Sequence, residues 1–161
     1  MDEVLTAREV ADADRDDLIA LVGEAYAEYP GCVLDLDGYD VDLLAPATAT
    51  DRVDGRWWVV EDTGRVVASI AAGPLDGDGA VELKRLYVAA SHRRQGLATS
   101  LVDRLEDHAR GLGAVRVVLW SDSRFVQAHQ LYRRLGYAET GAQRDLHDPS
   151  ETTELEFLRE L

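Results

Sequence analysis

The stretch from Leu86 to Ala98 constrains the fold most, because a short apolar pattern runs into a basic, glycine-containing turn and then into a helical pattern. Residues 86–88 suit a strand by their apolar and aromatic content. From Gly96 the apolar positions follow helical spacing to about Arg110. The sequence therefore predicts a strand, a turn and a helix N-terminus in direct succession.

This turn has the composition of an anion-binding site. The free amides of a first helical turn and the positive end of the helix dipole favour a phosphate, and Gly96 lets a phosphate approach the backbone. Arg93 and Arg94 add charge that suits a pyrophosphate or a third phosphate. A solvated basic turn before an ordinary amphipathic helix explains the same residues, so both interpretations stay open here.

Composition narrows the class of protein. The 161 residues fit one domain, residues 1–161, which would bury roughly two thirds of its unfolded surface. The N-terminal residues do not resemble a signal peptide, and no apolar run approaches the ~20 residues of a membrane span, so we expect a soluble cytoplasmic protein. The net charge of −14 argues against a nucleic-acid partner. A single cysteine, Cys32, excludes an internal disulfide, and we expect it to be structural and the chain to hold no metal.

Apolar spacing and turn signals predict seven strands and four helices in the order β-α-α-β-β-β-α-β-α-β-β. The phase of the apolar residues changes between Leu83 and Leu86, which predicts a β-bulge near Lys84 and Arg85. The run Val115–Trp120 predicts a strand covered on both faces and parallel to its predecessor. The remaining predicted strands are Glu3–Val10, 56–61, 65–71, 80–89, 137–147 and 153–158, and the predicted helices follow Asp12–Asp16 or span 41–50, 96–110 and 125–135.

Three motifs occur together in this order: V-E-L-K-R-L-Y-V at 81–88, R-R-Q-G-L-A at 93–98 and A-H-Q-L-Y-R-R-L-G-Y at 128–137. The chain thereby resembles the GNAT N-acetyltransferase superfamily, whose acyl-CoA loop reads R/Q-x-x-G-x-G/A. The resemblance covers essentially the whole chain. It implies an α/β (α+β) fold with about four helices and a mixed, mostly antiparallel sheet of six to seven strands. That sheet would splay between the strands ending near Val88 and Ser121.

The resemblance also implies acetyl-CoA as cofactor, bound in that opening. Its pyrophosphate would lie on amides from about Arg94 to Thr99, and its pantetheine arm would pair with an open strand edge, which can satisfy the amides of the arm. Many family members have Asn where this chain has Phe125, which would instead pack on the pantetheine. The expected cofactor contacts are Leu86, Tyr87, Val88, Arg93, Arg94, Gln95, Gly96, Leu97, Ala98, Thr99 and Phe125.

Two residues are the expected catalytic groups by the same resemblance. Acetyl transfer to an amine needs a base for the ammonium proton and an acid for the departing thiolate. Glu82 stands where several family members carry a catalytic glutamate, although an ion pair with Lys84 or Arg85 explains it equally. Tyr132 stands where the matching tyrosine commonly faces the CoA sulfur, with a purely structural role as the alternative.

The acceptor side is less defined. Tyr26, Tyr29, Asp122, Arg124 and His147 form an expected acceptor wall, which structural ion pairs would explain almost as well. We expect His129 to cap a solvated helix face rather than to approach the cofactor.

The resemblance implies an N-acetyltransferase that acts on a small-molecule or peptide amine, without nucleic acid or membrane. The alternatives are a catalytically silent acyl-CoA-binding module and an enzyme that acetylates protein N-termini or lysines. Because relatives commonly dimerise, a homodimer is a possible assembly.

Overall fold

The computed structural model describes residues 4–161, and in this range it contains the predicted strands and helices in the predicted order. Glu3, the first residue of the predicted N-terminal strand, lies outside the described range. None of the helices within that range is long and apolar enough to cross a membrane. The elements are β1 (Ala7–Glu9), α1 (Arg15–Ala27), α2 (Pro46–Arg52), β2 (Arg56–Asp62), β3 (Arg65–Ala72), β4 (Ala80–Val88), α3 (Leu97–Gly111), β5 (Arg116–Asp122), α4 (Val126–Arg134), β6 (Ala138–Asp145) and β7 (Thr153–Glu160).

The strands form one sheet in the order β1-β2-β3-β4-β5-β7-β6. All neighbouring pairs are antiparallel except β4 and β5, which are parallel. The parallel pairing runs from Ala80 opposite Arg116 to Leu83 opposite Leu119, whereas the two strands continue to Val88 and Asp122. Beyond Leu83 the strands therefore diverge, which confirms the predicted splay.

A hydrophobic core lies on each face of the sheet. Helix α3 presents Leu97, Leu101, Leu105 and Ala109 at helical spacing, and all four are buried against the β4 and β5 side chains Leu83, Val117 and Leu119. On the opposite face α1 buries Leu18, Leu21 and Val22 against Leu43, Trp57 and Val59. The sheet is thus covered on both faces near its centre, as a three-layer α/β arrangement requires.

The predicted bulge lies in β4. Ser69 of β3 is opposite Tyr87, whereas Ala71 is opposite Lys84, so β4 has one residue more than β3 across this interval. The extra residue is Arg85, whose backbone is in the left-handed conformation with φ of 54°. The bulge moves Leu86 and Val88 to the face of the sheet that holds Leu83, which accounts for the change of phase seen in the sequence.

Two predicted elements differ from the structure. The helix predicted over 41–50 is a 3₁₀ turn, Val41–Leu44, followed by α2, because Pro46 disfavours a helical conformation at Ala45, which has φ of −152° and ψ of 73°. Strand β5 is not covered on both faces: Val117 and Leu119 are buried, while Val118 and Trp120 are only half-buried. The face of β5 that carries Val118 and Trp120 is therefore partly open.

Candidate active site

A cleft of about 550 Å³ lies where β4 and β5 diverge. Its walls come from the end of α1, the C-terminal halves of β4 and β5, the first turn of α3, helix α4 and the β6–β7 turn. The diverging strand ends leave the edge of residues 86–88 facing this space, as predicted. The cleft therefore gathers the three motif segments into one site.

The first turn of α3 forms an anion cradle. Gly96 precedes the helix with φ of 80°, no side chain caps the helix there, and a Cβ at Gly96 would have no heavy atom of residues 4–161 within 4 Å. Arg94 also has a positive φ, 61°. The amides of residues 97–99 have no hydrogen-bond partner among the described residues, and these residues line the cleft, which fits a phosphate group. The predicted contacts Gly96, Leu97, Ala98 and Thr99 all line the cleft, whereas the predicted contact Gln95 is not part of the lining.

Arg93 is already engaged within the protein. Its Nη2 atom lies 2.5 Å from Oε1 of Glu28, just beyond the end of α1, and its Nε donates a hydrogen bond of 3.3 Å to the Val88 carbonyl. Arg93 therefore ties α1 to the end of β4 across the mouth of the cofactor region. Phosphate binding by this guanidinium requires that it share or leave Glu28.

Tyr132 lies in the cleft wall on α4 and is 6% exposed. Burial, and then the neighbouring Tyr87, raise the pKa of its hydroxyl above the ordinary tyrosine value. No side chain in the described part of the chain forms a hydrogen bond with this hydroxyl. A protonated hydroxyl facing the cleft is suited to donate a proton there.

Glu82 adjoins the cleft without lining it. The lining residues of β4 begin at Leu83 and Lys84, and the Lys84 Nζ atom lies 3.4 Å from the Glu82 carboxylate. The ion pair expected as the alternative role for Glu82 is therefore present with Lys84, whereas Arg85 has other partners. The catalytic role of Glu82 stays a prediction.

Arg85 forms a buried ion-pair network on the α1 side of the cleft. It donates to Asp40 at 2.9 Å and to Asp42 at 2.5 Å. Tyr26 donates to the same Asp40 at 3.3 Å, and its hydroxyl accepts from Tyr87 at 3.4 Å. Burial raises the pKa of both tyrosines. Tyr26 and Tyr87 thus line the cleft as parts of a fixed polar cluster.

The remaining predicted acceptor residues lie at the end of β5 and in the β6–β7 turn. Arg124 binds Asp122 with two donors, at 2.9 and 2.7 Å, and the Cys32 thiol lies 3.6 Å from the same carboxylate. Burial, followed by Asp122, raises the pKa of Cys32 to about 11, so the thiol is protonated at neutral pH. His147 is exposed and lies outside the lining, whereas its neighbours in the turn form part of it.

Aromatic packing places Phe125 and Tyr29 in one wall. Their ring centroids are 4.8 Å apart, and Tyr26 lies 6.1 Å from Phe125. Phe125 therefore lines the cleft and packs on tyrosines of α1 and the residues after it, and its expected contact with the pantetheine stays a prediction. A polar side chain at this position would break that packing.

The expectation for His129 is wrong. The imidazole is 4% exposed, lies 5.1 Å from the Phe157 ring and donates through Nε2 to the Asp122 carbonyl at 3.0 Å. Burial lowers its pKa. His129 thus holds the end of β5 in place from the buried side of α4, because α4 turns this side toward β7 rather than toward solvent.

Sequence reasoning missed Trp120, Tyr39 and Glu154, which all line the cleft. Trp120 ends an apolar run, which is typical of a core residue, and no local pattern in the sequence indicates its half-open environment. Tyr39 lies in an acidic, turn-rich segment, and its hydroxyl donates to the Leu146 carbonyl across the cleft. The alternation of β7 was the one sequence signal that could have indicated an accessible face at Glu154.

Comparisons with known proteins agree with this geometry. Residues 19–137 match the model of the acetyltransferase (GNAT) family. N-acetyltransferase 8F1 of Rattus norvegicus is 32% identical over 125 residues, which cover 75% of this chain and 54% of that protein. This chain spans about half the length of the curated relatives it matches.

Solved structures share the fold. A GNAT-family acetyltransferase of Staphylococcus aureus superposes with a TM-score of 0.83 at 18% identity, covering 98% of this chain and 99% of that one. The acetyltransferase yncA of Salmonella typhimurium, solved with acetyl-CoA, gives a TM-score of 0.74 at 22% identity, covering 99% and 95%. The motifs, the splayed sheet and the family match agree, and this chain belongs to the GNAT acetyltransferase family.

Proposed function

We propose that this chain is an acetyl-CoA-dependent N-acetyltransferase that acts as one domain and acetylates a primary amine by direct attack, with both substrates bound at once. The observation that supports this proposal is one cleft that contains both the open first turn of α3 and the Tyr132 hydroxyl. Holding amine and thioester in one cleft removes much of the entropic barrier of a bimolecular reaction. A cytoplasmic location would suit an enzyme that draws on cellular acetyl-CoA.

Different residues of the cofactor half would bind different parts of acetyl-CoA. The amides at the start of α3 would bind the pyrophosphate, and the strand edge at 86–88 would pair with the amides of the pantetheine arm. Acetyl-CoA itself supplies the thioester carbonyl that the amine attacks. Tyr132 would then protonate the departing thiolate, since burial keeps its hydroxyl protonated at neutral pH.

Proton removal from the amine requires a base. Glu82 is the proposed base, acting through water, because it adjoins the cleft wall one residue before Leu83. Lys84 would hold the Glu82 carboxylate toward this wall through their ion pair. Glu82→Gln should then reduce turnover while leaving acetyl-CoA binding unchanged.

The proposal is tested by a matched pair of glycine variants. Gly96 and Gly64 both have φ of 80°, and a Cβ at either position meets no heavy atom of the described residues within 4 Å, so alanine brings the same backbone strain to both. Only Gly96 faces the expected phosphate. Acetyl-CoA affinity, measured by calorimetry, should fall at least tenfold in Gly96→Ala and stay unchanged in Gly64→Ala.

Thiol release with an amine acceptor supplies the second readout. Turnover by the parent protein supports the enzyme, whereas acetyl-CoA binding without turnover of any amine supports a silent acyl-CoA-binding module. The proposal is wrong if the parent protein does not bind acetyl-CoA, or if both glycine variants bind it as the parent does.

A further inference from the structure

The acceptor half of the cleft is the part remote from α3. It is bounded by the segment 31–40 that follows α1 and by the β6–β7 turn. These two segments are joined, since Ser150 Oγ accepts from the Val33 amide at 2.9 Å and donates to the Val33 carbonyl at 3.1 Å. The Tyr39 hydroxyl adds a second link to Leu146. The acceptor therefore enters a space with closed sides.

Four cations beside this half are paired with carboxylates among the described residues. Lys84 binds Glu82, Arg124 binds Asp122, and Arg144 binds Glu154 at 2.7 Å. Arg85 binds two carboxylates, Asp40 and Asp42, so this group retains a net negative charge. A carboxylate on the acceptor would find each of these four cations already bound to a carboxylate, and it would lose its hydration beside like charge.

The uncharged surface of this half is largely aromatic. Trp120 lines the cleft from β5, with the Arg144 guanidinium 4.3 Å from its ring centroid. Glu154 in turn accepts a hydrogen bond from Arg144, which holds the guanidinium near the indole. The Tyr29 and Phe125 rings, which pack against each other at an interplanar angle of 41°, form a second aromatic surface of the same cleft. Such surfaces favour an apolar or aromatic body on the acceptor.

We infer that the acceptor is a primary monoamine with an aromatic or apolar body and no carboxylate, and that this body packs against Trp120. The inference rests on the proposed acetyltransferase function and adds the class of amine. The negative charge of the Arg85 group suits the incoming ammonium. Polycationic acceptors and lysines in basic peptides need several carboxylates, and in the described part of this wall Asp40, Asp122 and Glu154 are already bound to arginines.

The test compares pairs of acceptors that differ only in a carboxylate. Phenethylamine is compared with phenylalanine and tryptamine with tryptophan, with spermidine and a lysine-containing peptide as other classes. The readout is kcat/KM from thiol release with acetyl-CoA. Each amine should exceed its amino acid at least tenfold, and it should exceed spermidine and the peptide.

Variants of β5 assign the effect to Trp120. Trp120→Ala should raise the KM for phenethylamine about tenfold and leave the KM for acetyl-CoA unchanged, while Trp120→Phe should retain most of the affinity. Val118→Ala is the control, because Val118 lies on the same strand and face, is also half-buried and is outside the cleft lining. It should leave both KM values unchanged.

Failure of this inference is distinguishable from failure of the proposed function. Turnover that favours phenylalanine, spermidine or the peptide overturns the acceptor class and keeps the acetyltransferase. Equal KM values for the parent and Trp120→Ala overturn the role of Trp120. Absence of acetyl-CoA binding overturns the proposed function, and binding without turnover of any of these amines overturns the acceptor class.

Discussion

At the scale of single residues, Tyr132 and Tyr137 provide a matched pair. Both tyrosines are buried, and their ring centroids are 6.1 Å apart. The Tyr137 hydroxyl donates a hydrogen bond of 3.1 Å to Glu106, whereas the Tyr132 hydroxyl faces the cleft. Tyr132→Phe should lower kcat about a hundredfold, the lower range for loss of a general acid, with little change in stability. The rate of thiol release from acetyl-CoA measures kcat, and urea unfolding measures the stability.

Tyr137→Phe is the control with the opposite expectation. It removes a hydrogen bond to a buried carboxylate, which should cost about 1–3 kcal/mol of unfolding free energy and leave kcat unchanged. Arg159, which contacts both Glu106 oxygens at 2.8 Å, keeps that carboxylate paired in the variant. A kcat in Tyr132→Phe equal to that of the parent would assign Tyr132 a structural role.

His129 makes the stability of the folded chain depend on pH. Burial lowers its pKa in the folded state below the ordinary value of about 6.5, so the unfolded chain binds more protons in the intervening window. Stability from this residue is therefore complete above pH 6.5 and is lost as the pH falls toward the folded pKa. Urea unfolding at pH 7.5 and 5.5 should show that acidification lowers the free energy of unfolding less in His129→Gln than in the parent.

The exposed His147 serves as the comparison for this measurement. His147→Gln is the same substitution at a histidine whose side chain is exposed in the turn, so it controls for the effect of the substitution itself. An equal loss in His129→Gln and the parent would place the acid sensitivity elsewhere in the chain.

At the scale of elements, the ion pair between Arg93 and Glu28 connects α1 with the turn before α3. The Glu28 carboxylate competes with phosphate for the guanidinium. Glu28→Gln should therefore tighten acetyl-CoA binding about 1.4- to fivefold, which corresponds to the 0.2–1 kcal/mol range of partly exposed ion pairs. Calorimetric titration measures this change.

Glu24 offers the control on the same helix. It is exposed, and Glu24→Gln removes an equal charge without touching Arg93. If Glu28→Gln weakens acetyl-CoA binding instead, then Glu28 positions Arg93 for the phosphate rather than competing with it.

Strand β4 shows how an element can be predicted from its own residues. The shift from Val81 and Leu83 to Leu86 and Val88 predicts a bulge, and the structure has it at Arg85. The partners of Arg85 could not be predicted in the same way. Asp40 and Asp42 lie more than 40 residues earlier in the chain, and only the packing of the 3₁₀ turn at 41–44 against β4 brings them together.

At the scale of the whole molecule, one sheet carries both cores. Leu105 of α3 and Leu18 of α1 are fully buried on opposite faces. Because both faces share the same strands, Leu105→Ala and Leu18→Ala should each lower the stability of a single unfolding transition by about 2–5 kcal/mol. In both thermal and urea unfolding, the transition followed by fluorescence should coincide with the transition followed by circular dichroism.

Exposed apolar positions provide the control for this prediction. Val53 and Val126 are more than half exposed, and alanine there should change stability by less than about 0.5 kcal/mol. Two separate transitions, with one variant acting on each, would show that the faces unfold independently and that the chain is not one domain.

The sequence by itself determined the order of strands and helices, the bulge in β4, the glycine turn before α3 and the family. These features depend on local patterns, namely periods of two and 3.6 residues, turn chemistry and short motifs. The tertiary structure alone decided the insertion of β7 between β5 and β6, the burial of His129, the pairing of Arg93 with Glu28 and the exposure of Trp120 to the cleft. These depend on which surfaces meet after the chain folds, and residues far apart in sequence carry no local signal of that meeting.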